Sequence, residues 1–152
     1  MFLDNETLLA SAHSATAATG SNISTNVLDT GPLATGAVRN LGAGEQLILN
    51  ILCTTTATST DSATVDFRFV TDSAAGITTP VTLASTGAIA KATLVSGYKT
   101  TIHIPNNTGY SRYVGVNAQV GVTILTAGTF KYWISKAAQD NYAPPAAYTL
   151  DA

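Results

Sequence analysis

The chain has 152 residues, 11% of them charged, and a formal net charge of −2. A chain of this length fits one domain that buries roughly 70% of its unfolded surface. The seven basic residues are scattered singly and no apolar run approaches about 18 residues, which excludes a nucleic-acid-binding surface and a membrane-spanning helix.

The low charge favours a subunit that packs against other subunits, although a robust secreted β domain has a similar composition. Cys53 is the only cysteine, so an intrachain disulfide and a thiolate cluster for zinc are excluded. The first six residues carry acids where a signal peptide needs positive charge. We therefore expect synthesis in a reducing cytoplasm.

Residues 1–21 are predicted to be an N-terminal arm that leads into an edge strand. Two apolar pairs, Phe2-Leu3 and Leu8-Leu9, precede a stretch of small residues at 11–20. We expect the four apolar side chains to fill grooves on a neighbouring subunit. A short helix over residues 4–12 is an alternative for this segment, since acids favour the first turn of a helix.

Residues 22–136 are predicted to form a β-sandwich domain, because apolar side chains recur at every second position. The clearest case is residues 63–70, where Val65, Phe67 and Phe69 alternate with polar residues. The predicted strands are residues 25–28, 45–54, 63–70, 81–85, 99–104, 113–119 and 129–135. Short strands separated by Gly, Pro, Asn and Asp indicate two packed sheets. Periodicity does not separate a jelly roll from an immunoglobulin-type sandwich.

Trp133 is predicted to be an exposed aromatic side chain. Phe130, Tyr132 and Ile134 share one face of their strand, which places Trp133 on the other face. An exposed tryptophan suits a contact with another subunit or with a sugar. We favour the subunit contact because no second aromatic accompanies it.

Residues 137–152 are predicted to be an extended C-terminal tail. Pro144 and Pro145 lack the amide hydrogens that a central strand requires. Together with these prolines, the residues expected to dock on a neighbouring subunit are Tyr142, Tyr148 and Leu150. The alternative is that the tail folds back on its own sandwich.

No arrangement of residues predicts catalysis, a cofactor or a metal. His13 and His103 are far apart in the sequence, and the nine acids are scattered through turns and arms. A calcium site that includes Asp61 and Asp72 is conceivable, but Asp in turns more often accepts local backbone hydrogen bonds. We predict that the chain is not an enzyme.

An ordered set of short motifs resembles the capsid cement, or head decoration, proteins of tailed bacteriophages. The motifs are residues 24–31 (STNVLDTG), 41–47 (LGAGEQL), 80–89 (PVTLASTGAI) followed by Leu94 and 97–99 (GYK), 104–105, 112–114 and 126–128. The resemblance extends over most of residues 2–135. The group they resemble is the jelly-roll type first described for a short-tailed Bordetella phage.

The resemblance implies an all-β, jelly-roll-like sandwich that binds the outer surface of the phage head and bridges subunits of the major capsid protein. It implies a virion protein made in the bacterial cytoplasm, with no catalysis and no cofactor. It favours a homodimer and allows a homotrimer. The tail after Ser135 has no counterpart in the family pattern. The alternative function is a carbohydrate-binding module of a phage tail or cell surface that uses Trp133 or Tyr110.

Overall fold

The computed structural model describes residues 7–16, 19–31, 41, 46–106 and 109–136, and within them every regular element is a β-strand. The strands are β1 (Leu8–Ser14), β2 (Gly20–Ile23), β3 (Leu28–Asp29), β4 (Ile48–Thr58), β5 (Thr64–Asp72), β6 (Val81–Ala90), β7 (Lys99–His103), β8 (Tyr113–Gly121) and β9 (Ala127–Ser135). Over the described residues, no helix is long and apolar enough to cross a membrane.

The strands form two antiparallel sheets whose order is that of a jelly roll. Sheet A has the order β1-β9-β4-β7, and sheet B has the order β2-β8-β5-β6, with β3 also paired to β8. The pairs β1–β9, β2–β8, β4–β7 and β5–β6 are nested in the sequence, as when one long hairpin is wrapped around a core. This connectivity confirms the predicted jelly-roll sandwich.

The core lies between the sheets and is built from alternate residues of the central strands. Val65, Phe67 and Phe69 of β5 are fully buried, as predicted, and the Phe67 ring contacts the edge of Phe130 with centroids 4.9 Å apart. Tyr132 is buried beside them. Complete burial of such a side chain contributes about 1.5 to 3 kcal/mol.

Part of the predicted N-terminal arm is a strand of the sandwich. Residues 8–14 form β1 at the edge of sheet A, and β2 begins at Gly20. The helical alternative for residues 4–12 is therefore wrong over its described part. Leu9 is 1% exposed and packs in the core of its own subunit, so its predicted role in a groove of a neighbour is also wrong.

The sandwich has two distinct ends. The backbone amide of Ile134 donates to the carbonyl of Thr7 at 3.0 Å, and Leu8 is the register partner of Trp133. The first and last described strands thus begin and end side by side, at what we call the terminal end. At the opposite end, the loop end, lie the β1–β2, β4–β5, β6–β7 and β8–β9 connections.

Candidate interaction surfaces

The ionisable side chains of the described residues make structural contacts. Asp29 and Arg112 form a bidentate ion pair at the surface, in which Arg112 Nε donates to Oδ1 and Nη2 donates to Oδ2, and this contact lowers the pKa of Asp29. Asp72 accepts the backbone amides of Thr79 and Ala74, which lowers the pKa of its carboxyl group. No group of three or more His, Cys, Asp or Glu that could hold a metal occurs among the described residues.

The two aromatic side chains considered as sugar contacts, Trp133 and Tyr110, are buried. Trp133 is 7% exposed, so the prediction of an exposed ring is wrong; Lys131 Nζ lies 5.7 Å from its centroid. Tyr110 is also 7% exposed and donates its hydroxyl to the Pro105 carbonyl, and burial raises its pKa to about 12. Neither ring offers an open face for stacking on a sugar.

The other predicted contact residues belong to the two terminal segments. Phe2, Leu3, Tyr142, Pro144, Pro145, Tyr148 and Leu150 lie outside the described residues. Leu8 is half-buried at the start of β1, beside the point where residues 1–6 join the sandwich. Of the predicted apolar arm residues, Leu8 is therefore the one that the structure places at the terminal end with part of its surface accessible.

The loop end carries an exposed apolar surface that the sequence analysis did not identify. Val95, Val122 and Ile124, which we call the apolar loop surface, are 48%, 70% and 49% exposed. Ser59 links the β8–β9 and β6–β7 connections that carry these residues. Its hydroxyl donates to the Ile124 carbonyl, and its own carbonyl accepts a hydrogen bond from Lys91 Nζ. The sequence signal that could have identified this surface is the presence of Val122 and Ile124 in a short connection between two strands.

Val122 is held in a strained backbone conformation. Its φ is 69°, in the left-handed region that a β-branched side chain rarely occupies. A backbone conformation of this kind destabilises the folded state by of order 1–3 kcal/mol, and such conformations cluster at functional sites. Because the Val122 side chain is largely exposed, burial within the described fold does not compensate for this strain.

The outer face of sheet A, opposite the core, is also buried along its centre. Three directly opposed cross-strand pairs point outward, namely Ile48–Ser135, Asn50–Trp133 and Leu52–Lys131. Five of these six residues are at most 9% exposed, and we call them the outer stripe: Ile48, Asn50, Leu52, Trp133 and Ser135. The apolar members of the stripe do not belong to the core cluster between the sheets.

Comparison with known proteins identifies one family. The family model described as Bbp16 matches residues 12–134, a stretch that runs from within β1 almost to the end of β9 and is more than half of the chain. The match therefore covers the sandwich. No curated protein gives a significant match.

Proposed function

Because the chain belongs to the Bbp16 family, named after a head protein of a Bordetella phage, we propose that it is a capsid cement protein. Family membership indicates a structural protein of a phage head. The proposed role is to bind the outer surface of the head and to bridge neighbouring subunits of the major capsid protein. The observation that carries this proposal is the family match over residues 12–134, which is most of the sandwich.

A bridging protein needs at least two contact surfaces, and the sandwich offers one at each end. At the terminal end, residues 1–6 precede the described sandwich and would reach roughly 20 Å if they were extended at about 3.3 Å per residue. Phe2 and Leu3 would enter apolar grooves on the capsid, with Leu8 at the base of the arm. At the loop end, the apolar loop surface would contact a second capsid subunit.

Several modest contacts are sufficient for this role. Each buried apolar side chain contributes about 1.5 to 3 kcal/mol before ordering costs are subtracted. A subunit held at two sites gains effective concentration for the second contact once the first has formed. A homodimer, which we favour over a homotrimer, would double the number of contacts.

The experiment is co-sedimentation of purified protein with undecorated phage heads. Two variants remove the surfaces separately: deletion of residues 1–6, and Val122→Ser combined with Ile124→Ser. We expect each variant to remain folded, to bind more weakly than the unmodified protein, and to lose its ability to raise the temperature at which heads release DNA. Val81→Ser is the matched control, because Val81 is an exposed valine on β6.

Undiminished binding and shell stabilisation by both variants would reject the proposed surfaces. Failure of the unmodified protein to bind heads would reject the cement function itself. Binding without any rise in the disruption temperature would reject the bridging role.

A further inference from the structure

The outer stripe of sheet A is a second packing layer of this protein. A residue on the outer face of a two-sheet sandwich normally faces solvent, as Thr101 and His103 of the neighbouring strand β7 do. Asn50 and Ser135 nevertheless are 3% exposed, and the Asn50 side-chain amide donates to Ser135 Oγ at 2.7 Å. The strands of the described residues form only two sheets, and sheet B lies against the other face.

We propose that the C-terminal segment, residues 137–152, docks across the outer stripe of its own subunit. This proposal is independent of the cement function. Docking of this segment would explain why the side chains of the outer stripe are buried although they lie outside the core between the sheets.

The position and length of the segment fit this role. The segment begins two residues after Ser135, the last residue of β9 and the register partner of Ile48 at one end of the stripe. The stripe extends over four residue steps from Ile48 to Leu52, or about 13 Å. The segment spans up to roughly 50 Å when extended at about 3.3 Å per residue, so it reaches every part of the stripe.

The chemistry of the two surfaces is complementary. The segment contains two tyrosines, two adjacent prolines and a leucine, which supply apolar area without needing a partner strand. No strand of sheet A contains an acidic residue, and Lys99 and Lys131 are on the outer face on either side of Leu52. Asp140 and Asp151 of the segment carry the opposite charge.

The N-terminal segment is the less suitable occupant. Residues 1–6 begin beside β1 at the edge of the sheet, whereas β9 and β4 form its centre. They supply three large apolar side chains, Met1, Phe2 and Leu3, while the C-terminal segment supplies two tyrosines, two prolines and a leucine, together with six alanines, over a longer stretch of chain.

Trp133 makes the proposal directly measurable, because it is the only tryptophan of the chain and belongs to the stripe. The experiment compares its fluorescence in the unmodified protein, in a protein lacking residues 137–152, and in a control lacking residues 1–6. We expect removal of residues 137–152 to shift the emission to longer wavelength and to raise the acrylamide quenching constant several-fold. We expect the control deletion to leave both unchanged.

A second variant guards against loss of folding. The triple substitution Tyr142→Ala, Tyr148→Ala and Leu150→Ala keeps the chain length, and it should produce the same direction of change while the circular dichroism of the sandwich is retained. Unchanged Trp133 emission in both C-terminal variants would overturn the proposal. A shift confined to the N-terminal deletion would overturn it as well.

Dilution distinguishes the chain's own segment from that of a second copy. Docking within one subunit is independent of protein concentration, so the emission of the unmodified protein should be constant across a dilution series. A red shift on dilution, together with dissociation observed by light scattering, would show that another copy supplies the cover and would overturn the proposal.

Discussion

His13 shows how one side chain joins the two sheets. It lies in β1 of sheet A, is 7% exposed, and its Nδ1 is 3.1 Å from the hydroxyl of the fully buried Tyr132. The backbone of Ile23 in sheet B acts in the opposite direction to burial and favours the protonated form of His13. Burial lowers the pKa of His13, because the charged imidazolium loses its hydration in this position.

The protein should lose stability as the pH falls below about 6.5, the ordinary pKa of histidine. Between that pH and the lower pKa of His13 in the folded state, the unfolded chain binds a proton at His13 and the folded chain does not. The free energy of unfolding therefore falls as the pH falls through this range, and it stops falling below the folded-state pKa. The measurement is the urea midpoint at several pH values. His13→Gln should remove this component, whereas His103→Gln, at an exposed position, should keep it. An NMR titration that places the pKa of His13 above the ordinary value would contradict the prediction.

Gly128 occupies a backbone conformation that other residues rarely adopt. Its φ is 141°, and it lies where the β4–β9 register shifts between Thr55 and Thr58. A Cβ there would be 3.3 Å from the backbone of Ala57. Gly128→Ala should therefore lower the free energy of unfolding by about 3 kcal/mol, the upper part of the range for strained positions.

Gly87→Ala is the matched control for this prediction. Gly87 also has a positive φ, 73°, but nothing lies within 4 Å of the added Cβ. Gly87→Ala should lower the free energy of unfolding by about 1 kcal/mol, which is the strain of the left-handed conformation alone. Equal losses for the two variants in denaturant titrations would show that the close approach to Ala57 does not matter.

At the scale of the strands, alternation predicts the central elements well. The pattern in β5 and β9 identifies which side chains enter the core, because a strand buried on one face repeats every two residues. Residues 8–14 are missed as a strand for two physical reasons. They lack the β-branched and aromatic residues typical of strands, and their pairing with β9 shifts register twice, after Leu8 and after Ala10.

Trp133 marks the limit of what alternation establishes. The pattern correctly places it on the face opposite Phe130 and Tyr132. Whether that face is open to solvent depends on what packs over it, which periodicity within one strand does not record. The run at residues 47–53, in which Asn50 is the one polar residue, was the available indication, since a strand buried on both faces lacks regular polar alternation.

At the scale of the whole molecule, the difference between the terminal end and the loop end of the sandwich links the fold to the proposed function. The nested jelly-roll pairing places the start of β1 beside the end of β9, so the described sandwich begins and ends at one end. The same winding gathers four connections at the other end, where Val122 and Ile124 are exposed. The two proposed contact surfaces thus lie at opposite ends of the sandwich, which is the arrangement that the proposed bridging of two neighbours requires.

Binding to phage heads should depend weakly on ionic strength. The chain has seven basic and nine acidic residues, and the proposed contacts are apolar. Raising the salt from about 0.1 M to about 1 M shortens the Debye length from about 10 Å to about 3 Å, which weakens charge-based contacts and leaves apolar burial intact. The dissociation constant, measured by co-sedimentation, should change by less than about threefold over this range, as for an interface without steering charges.

Sodium sulfate provides the complementary measurement. It strengthens apolar burial because it is excluded from protein surfaces, so binding should tighten in sulfate relative to chloride at equal ionic strength. The variant with Val122→Ser and Ile124→Ser should lose part of this gain, since less apolar area is then buried at the loop end. Binding that falls steeply as sodium chloride rises would indicate instead that ion pairs hold the protein on the head.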